Sequence, residues 1–197
     1  MKNIAAIILA AGASERMGQP KQLLPYGGHS LLRHTVETAL ASCCRPVIVV
    51  LGAHAEAIKP EVEDAGVTVV INEAWKEGMS ASIRAGLSAV QPRRQATDGA
   101  LFLLCDQPLV TASLLDRLVT AFRVTGQPIA ACDYDGVPGV PALFARSLFP
   151  ELEALHGAEG AKQVLRRHRS RIACLPFPEG RFDIDTPQDF QALQQVP

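Results

Sequence analysis

The chain has 197 residues, 48% of them hydrophobic, which is enough for one domain to bury a core. Its formal net charge of −1 excludes the broad basic field that attracts nucleic acid. No apolar run reaches the length of a transmembrane helix, and the 5 cysteines lack the C-x-x-C spacing of a zinc site. We therefore expect a cytoplasmic protein with neither nucleic-acid nor membrane partners.

The predicted elements alternate between strands and helices. Apolar runs bounded by turn residues predict strands at 4–9, 47–51, 67–71, 100–105 and 129–132. Apolar residues at helical spacing predict helices at 30–42, 55–65, 80–90 and 112–124. The first run loosely resembles a secretory signal, but it continues into a glycine-containing loop and is interpreted as a strand. The alternation predicts a three-layer α/β/α fold with a Rossmann-like, mostly parallel sheet, whose ligands lie beyond the carboxyl ends of the strands.

The pattern changes after residue 133. The stretch 135–141 contains Pro138 and Pro141, which predict a turn or an edge hairpin and argue against a central strand. A basic helix at 157–168, a strand at 172–175 and a closing helix at 187–195 follow. We interpret residues 133–197 as an elaboration packed on the same core, so that 1–197 forms a single domain.

A loop with two cations follows the first predicted strand. From Leu9 to Lys21 it reads L-A-A-G-A-S-E-R-M-G-Q-P-K. Small residues around Gly12 let backbone N–H groups approach an anion, Arg16 can bind phosphate with two hydrogen bonds, and Lys21 adds a movable charge. The loop lacks both the Gly-Lys-Ser/Thr of a Walker loop and the glycine spacing of a dinucleotide fold. It therefore predicts a polyphosphate site of another kind.

Three carboxylates are candidate metal ligands. Asp106 follows the predicted strand 100–105, while Asp183 and Asp185 alternate around one residue and share a face if the segment is extended. Mg²⁺ binds one or two protein carboxylates together with substrate phosphates. Asp106 and Asp185 also fit structural roles in a turn or at a helix start, because a proline follows each of them within two residues.

These motifs resemble a known family. The pattern L-A-A-G-x-S-x-R-M-G-x-x-K is similar to the opening signature of the nucleotidyltransferases related to the molybdenum-cofactor guanylyl- and cytidylyltransferases. Further matches follow in the same order at 78–83, 105–108, 139–144 and 183–189. The cytidylyltransferase branch is the most similar.

The resemblance implies a Mg²⁺-dependent enzyme that transfers CMP from CTP to the phosphate of molybdopterin, with GTP as the less favoured nucleotide and a molybdoenzyme as the client that receives the product. The nucleotide-binding part would span about 1–132 and the acceptor side about 133–197. It implies catalytic roles for Lys21, Arg16 and Asp106, and metal binding by Asp106 and Asp185 with Asp183 as a possible third ligand. Nucleotide contacts are implied for Leu9, Ala10, Ala11, Gly12, Ser14, Arg16, Lys21, Gly78, Ser80 and Ser82.

Two positions bear on substrate choice. Guanylyl relatives typically have glycine where this chain has Ala11, and the added methyl would favour the smaller pyrimidine. On the acceptor side, 157–162 reads G-A-E-G-A-K where the family tends to have G-D-x-G-A-R, so Arg166, Arg167 and Arg169 are alternative cations for an anionic acceptor. Two other functions stay open: transfer to a sugar or polyol phosphate, and non-catalytic delivery of the molybdenum cofactor.

Overall fold

The structure is a computed structural model that describes residues 3–90, 97–158 and 160–194. Its strands are β1 (Ile4–Ala10), β2 (Pro25–Tyr26), β3 (His29–Ser30), β4 (Val47–Leu51), β5 (Thr68–Ile71), β6 (Gly99–Leu104), β7 (Ile129–Asp133), β8 (Pro138–Ala145) and β9 (Ile172–Pro176). Its helices are α1 (Leu31–Ala41), α2 (Ala55–Ile58), α3 (Met79–Val90), α4 (Ala112–Thr125), α5 (Phe149–Glu153), α6 (Lys162–Arg167) and α7 (Pro187–Leu193).

A mostly parallel sheet forms the centre of the fold. Its strand order is β5-β4-β1-β6-β8-β7-β9, and β8 runs antiparallel to both of its neighbours. The short strands β2 and β3 form a separate hairpin. The predicted α/β architecture with a mostly parallel sheet is confirmed.

Strand β1 shows why both faces of the sheet are covered. Its seven residues are all buried, and successive side chains point to opposite faces. Ile4, Ala6 and Ile8 join a core that includes residues of α1 and α4, whereas Ile7 and Leu9 join one that includes residues of α3, α5 and α6. An uninterrupted apolar strand is typical of a parallel sheet buried on both sides.

The prediction for 135–141 was wrong in one respect. Residues 138–145 form β8, which lies inside the sheet between β6 and β7. Two features reconcile this position with the prolines. The ladder with β6 begins only at Ala142, and the pairing with β7 shifts register between Ala131 and Cys132, opposite Pro141. Pro141 therefore lies at the irregular part of the ladder, and Pro138 is the first residue of β8, paired with Asp133 at the end of β7.

Two predicted helices are shorter than their apolar periodicity suggests. The helix predicted at 55–65 ends at Ile58 and continues as a 3₁₀ turn containing Pro60, which lacks the N–H that an α-helix needs. The helix predicted at 157–168 begins at Lys162, because Gly157 and Gly160 adopt positive φ values of 71° and 55°. Position 159 and the predicted end of the last helix at 195 lie outside the described residues.

In the described ranges, no helix combines the length and apolar character needed to cross a bilayer.

Candidate active site

The loop after β1 presents free backbone N–H groups. Within the described ranges, the amides of residues 12–16 donate no hydrogen bond to protein atoms. Gln22 is buried, and its Nε2 donates to the carbonyls of Ala10 (2.9 Å) and Gly12 (3.0 Å). Gln22 thereby holds the loop by the loop's own carbonyl groups, and the backbone N–H groups of residues 12–16 remain available to bind an anion.

Lys21 lies between two carboxylates at the end of this loop. Its Nζ is 2.6 Å from Asp106 Oδ2, 3.0 Å from Asp185 Oδ1 and 3.3 Å from the Ile184 carbonyl oxygen. Arg16 approaches the same cluster from solvent, with Nη2 2.7 Å from Asp185 Oδ2. The structure therefore brings together all four of these predicted residues, from three separate parts of the sequence.

The charges in this cluster support one another. Burial of the Lys21 ammonium opposes its charge, but the Asp106 carboxylate outweighs that effect and the pKa of Lys21 is raised. Partial burial of Asp185 is likewise outweighed by its hydrogen bond to Lys21, so the pKa of Asp185 is lowered. Desolvation, followed by the negative charges of Asp106 and Asp185, raises the pKa of Asp183 to about 6. Lys21 is thus a permanent cation and Asp185 a permanent anion at neutral pH.

Asp106 has an oxygen suited to a metal ion. Its Oδ1 is buried and has no hydrogen-bond partner among the described residues. An unpaired buried carboxylate oxygen is costly and is a hard ligand of the type that Mg²⁺ prefers. The described residues contain no group of three potential metal-ligating side chains, so a metal here would rely on Asp106, Asp185 and oxygens of a bound ligand.

A small apolar cluster holds the Asp185 carboxylate close to Lys21 and Asp106. Met17, Leu24 and Leu31 pack with Ile184 and Leu193, so the N-terminal loop contacts the C-terminal segment. The Ile184 N–H also donates to the backbone oxygen of Asp106 at 3.0 Å. Because Ile184 is fully buried, Asp183 and Asp185 on either side of it are held near β6.

Helix α7 begins immediately after Asp185. Thr186 is its N-cap, and a reciprocal capping box joins the Thr186 and Asp189 side chains to each other's backbone N–H groups. Asp189 Oδ2 also accepts from the Asp185 N–H at 3.1 Å. Asp189 therefore supports the helix start and fixes the backbone of Asp185.

The turn at 78–82 meets the segment that was predicted to face the acceptor. Gly78 has φ of 101°, and a Cβ there would lie 2.8 Å from the carbonyl oxygen of Gly157. The Ser80 N–H donates to that oxygen, while Ser80 Oγ is buried without a partner in the described part of the chain. Ser82 Oγ instead accepts from Asn72 Nδ2 at 3.1 Å. Both serines lie inside α3 and neither is its N-cap. The Ser82 hydroxyl is already hydrogen-bonded to Asn72.

The start of the predicted nucleotide loop contributes mainly backbone. Leu9, Ala10 and Ala11 are buried, and the Ala11 carbonyl accepts from the Ala53 N–H at 3.0 Å. The Ala11 methyl lies close to Gly52, where an added Cβ would be 2.8 Å away. The Ser14 hydroxyl accepts from the Lys21 N–H at 3.1 Å. These residues shape the loop from which Arg16 and Lys21 project.

A cavity of about 550 Å³ lies next to this charged cluster, and most of its lining residues come from the segment 134–183. We call it the basic cavity. Apolar side chains of β6, β8 and α6 form part of its wall, and Gln107, Tyr134 and Asp183 also line it. Its cations are Lys162, Arg166, Arg169 and Arg181.

The cations of the basic cavity differ in their partners. Arg181 pairs with Asp135 at 2.7 Å, and Arg169 donates to the Gly136 carbonyl at 3.2 Å. Lys162 and Arg166 are exposed and have no hydrogen bond or ion pair with the described residues. Arg167 does not line the cavity and lies 3.6 Å from Glu151. Of the three arginines considered from sequence, two therefore face the cavity.

Sequence reasoning missed Gln107, Tyr134 and Gly180. Gln107 was read only as part of the 105–108 match, and Tyr134 and Gly180 carried no signal in the sequence. In the structure, Gln107 Nε2 donates to the Tyr134 hydroxyl and to the Gly180 carbonyl, both at 3.2 Å. The only available hint was the position of Gln107 directly after the carboxylate of a predicted strand end.

The sheet order and a charged cluster beyond the carboxyl ends of β1 and β6 define the class of protein. They are those of the nucleotide-diphospho-sugar transferase type of α/β fold. The chain belongs to the MobA-like NTP transferase family, since that domain matches residues 6–172. It is accordingly a nucleotidyltransferase.

Three similar proteins illustrate the range of the family. The chain is 32% identical to the nicotine blue oxidoreductase of Paenarthrobacter nicotinovorans, with 96% of each chain covered. It is 27% identical to the molybdenum cofactor cytidylyltransferase of Escherichia coli K12, covering 96% of this chain and 95% of the relative. A crystal structure of Rv0371c from Mycobacterium tuberculosis H37Rv in complex with manganese has a TM-score of 0.82 at 30% identity and full coverage of both chains.

Proposed function

We propose that this nucleotidyltransferase transfers CMP from CTP to the phosphate of molybdopterin and releases pyrophosphate. The observation that carries the proposal is the Lys21 ammonium between Asp106 and Asp185, at the end of a loop whose amides donate to no protein atom of the described residues. A phosphate oxygen of the acceptor attacks the α-phosphorus in line, one P–O bond forms, and the bond to pyrophosphate breaks. Such a reaction needs positioning and charge neutralisation far more than covalent help from the protein.

The N-terminal loop supplies the nucleotide contacts in this proposal. The amides of residues 12–16 bind the triphosphate, and Arg16 holds the β- and γ-phosphates that leave. Lys21 neutralises charge at the α-phosphate, which its raised pKa permits at all physiological pH values. In this proposal Gly78 and Ser80 contact the base and ribose, and the buried Ser80 hydroxyl, which has no partner among the described residues, supplies a hydrogen bond.

Asp106 and Asp185 would hold a Mg²⁺ ion, with Asp183 near both. When bound, the ion would neutralise phosphate charge and polarise the reacting phosphate group. The Oδ1 of Asp106, which has no hydrogen-bond partner among the described residues, supports this assignment, as does the manganese complex of the Rv0371c relative.

The basic cavity is the proposed acceptor site. Its volume is within the range of small-molecule pockets, and its mixed wall suits an acceptor with both a ring system and anionic groups. Lys162 and Arg166 lie one helical turn apart and can bind the anionic part. The buried Gln107 Oε1, unpaired within the described part of the chain, can accept a hydrogen bond from a ring N–H.

The methyl of Ala11 is the feature that favours CTP over GTP in this proposal, since the relatives include both a cytidylyltransferase and probable guanylyltransferases. We further infer that the product is delivered to a molybdoenzyme and that the reaction takes place in the reducing cytoplasm, which suits five free cysteines.

The test is a reaction of the purified chain with Mg²⁺, molybdopterin released under anaerobic conditions, and each of CTP, GTP, ATP and UTP. Pyrophosphate release and the mass of the product are measured, with Asp106→Asn as the inactive control. We expect pyrophosphate and a molybdopterin–CMP product with CTP. Pyrophosphate with sugar or polyol phosphates but not with molybdopterin would refute the proposed acceptor.

Two further outcomes would refute catalysis of this kind. Tight molybdopterin binding without pyrophosphate from any nucleotide would indicate a delivery protein. Reduction or oxidation of nicotine blue, in the absence of nucleotide transfer, would indicate that the chain shares the activity after which its Paenarthrobacter relative is named.

A further inference from the structure

The ring of Tyr134 lies between two glycines. A Cβ added at Gly139 would overlap the Cε2 atom of this ring, and a Cβ added at Gly180 would overlap Cε1. Tyr134 itself is half-buried and follows β7, while Gly139 belongs to β8. Only residues without a side chain permit this close approach on both edges of the ring, so the ring position is fixed.

Gln107 connects Tyr134 to the catalytic cluster. It is 4% exposed and follows Asp106 directly. Its Nε2 donates to the Tyr134 hydroxyl oxygen and to the Gly180 carbonyl oxygen. The Gly180 carbonyl can only accept, so it fixes which end of the amide points toward it. One side chain thus joins the end of β6, the residue after β7 and the segment before Asp183.

The segment 177–185, which we call the acidic loop, is held at both ends. At one end Gly180 contacts Tyr134 and Gln107, and the Phe177 N–H donates to the Asp133 carbonyl at 3.0 Å. At the other end the Ile184 N–H donates to the Asp106 carbonyl. Asp185 follows this second attachment. The separation of the Asp106 and Asp185 carboxylates therefore depends on both attachments.

We propose that Gln107 and Tyr134 are positioning residues that set the separation of the Asp106 and Asp185 carboxylates, and through it the affinity for a divalent cation. The proposal rests on the metal-binding role given above to these two aspartates. Neither Gln107 nor Tyr134 needs to touch the cation, because both act through the acidic loop. Their side chains contact Gly180, three residues before Asp183.

The test measures Mn²⁺ binding to the full chain by electron paramagnetic resonance, without nucleotide or acceptor. The variants are Tyr134→Phe, which keeps the ring between the two glycines, and Gln107→Met, which keeps the length of the side chain. Tyr26→Phe and Gln191→Met are matched controls, since neither polar group has a hydrogen-bond partner within the described ranges. Asp106→Asn tests the metal site itself.

We expect each positioning variant to raise the Kd for Mn²⁺ roughly three- to tenfold, the order of effect of one lost hydrogen bond. The double variant should show less than the product of the two single effects, because both act through the same contact. CTP affinity at saturating Mn²⁺ should stay at the wild-type value. A merely structural role would lower thermal stability and CTP affinity together and leave the Mn²⁺ Kd unchanged.

The two possible failures are distinct. If Asp106→Asn leaves Mn²⁺ binding intact, the proposed metal site itself is wrong. If Asp106→Asn weakens Mn²⁺ binding while Tyr134→Phe and Gln107→Met match their controls, only the positioning role is overturned.

Discussion

The Lys21 ammonium lies 2.6 Å from the Asp106 carboxylate, although 85 residues separate them in the sequence. Lys21 Nζ also lies 3.0 Å from Asp185, which is 164 residues away. A cation held between two carboxylates keeps its charge, but it must exchange at least part of this pairing for phosphate contacts during the proposed reaction.

Lys21 and Arg16 should differ in what their loss affects. The Lys21 side chain is only 16% exposed within the cluster, whereas that of Arg16 is 71% exposed. We expect Lys21→Ala to lower the single-turnover rate roughly a hundredfold or more, because preorganised charge acts most strongly on the transition state. Arg16→Ala should mainly raise the Kd for CTP. Lys59→Ala, at an exposed turn, is the control, and a Lys21→Ala variant changed only in CTP affinity would contradict this division.

Ala11→Gly should raise the use of GTP relative to CTP. Removing the methyl beside Gly52 relaxes the loop and adds space, but it supplies no hydrogen-bond partners for guanine. We therefore expect the ratio of kcat/KM values to shift by roughly tenfold at most. Ala13→Gly in the same loop is the matched control. A wild-type preference for GTP would overturn the cytidylyl assignment, and an unchanged ratio would place base choice elsewhere, at 78–82.

Substitution of Lys162 or Arg166 should weaken binding of the acceptor and leave binding of CTP unchanged. Because both are exposed, we expect Lys162→Gln and Arg166→Gln each to raise the KM for the acceptor about two- to fivefold, with the KM for CTP unchanged. Arg167→Gln changes the neighbouring charge, which faces Glu151 instead of the cavity. Equal effects of all three substitutions would show that only net charge matters and that the basic cavity does not bind the acceptor.

Stability should fall at alkaline pH because of buried thiols. Burial raises the pKa of Cys44, Cys105 and Cys132 to about 12. In the unfolded chain a thiol loses its proton near pH 8.5, so above that pH the unfolded state binds fewer protons and the free energy of unfolding decreases. Each buried thiol contributes a slope of up to about 1.4 kcal/mol per pH unit between roughly pH 9 and 11.

Urea unfolding at pH 7.5, 9 and 10 measures this slope. Cys132→Ala should reduce the pH slope of the free energy of unfolding by the contribution of one thiol. Cys174→Ala, at an exposed position, should change this slope less. A slope that is the same in wild type and Cys132→Ala would contradict the assignment of this thiol.

Much of the fold and half of the site could be predicted from local sequence patterns. Apolar runs identified the strands of the parallel part because buried strands need uninterrupted apolar residues, as in β1. The loop ending at Lys21 was identifiable because its small residues and cations stand next to one another in the chain. The capping role of Asp189 was equally local, since its partner Thr186 is three residues away.

Tertiary structure decided everything that depends on distant residues meeting. The interior position of β8 depends on a register shift in its pairing with β7, which no periodicity within 135–141 reveals. The approach of Asp185 to Lys21 depends on Ile184 entering an apolar cluster with Met17 and Leu24. The connection between Gln107, Tyr134 and the acidic loop depends on their contacts with Gly180, which is distant from both in the sequence. The physical reason is the same throughout: a sequence pattern records what neighbouring residues favour, whereas a shared core and single hydrogen bonds between distant segments determine which carboxylates meet which cations.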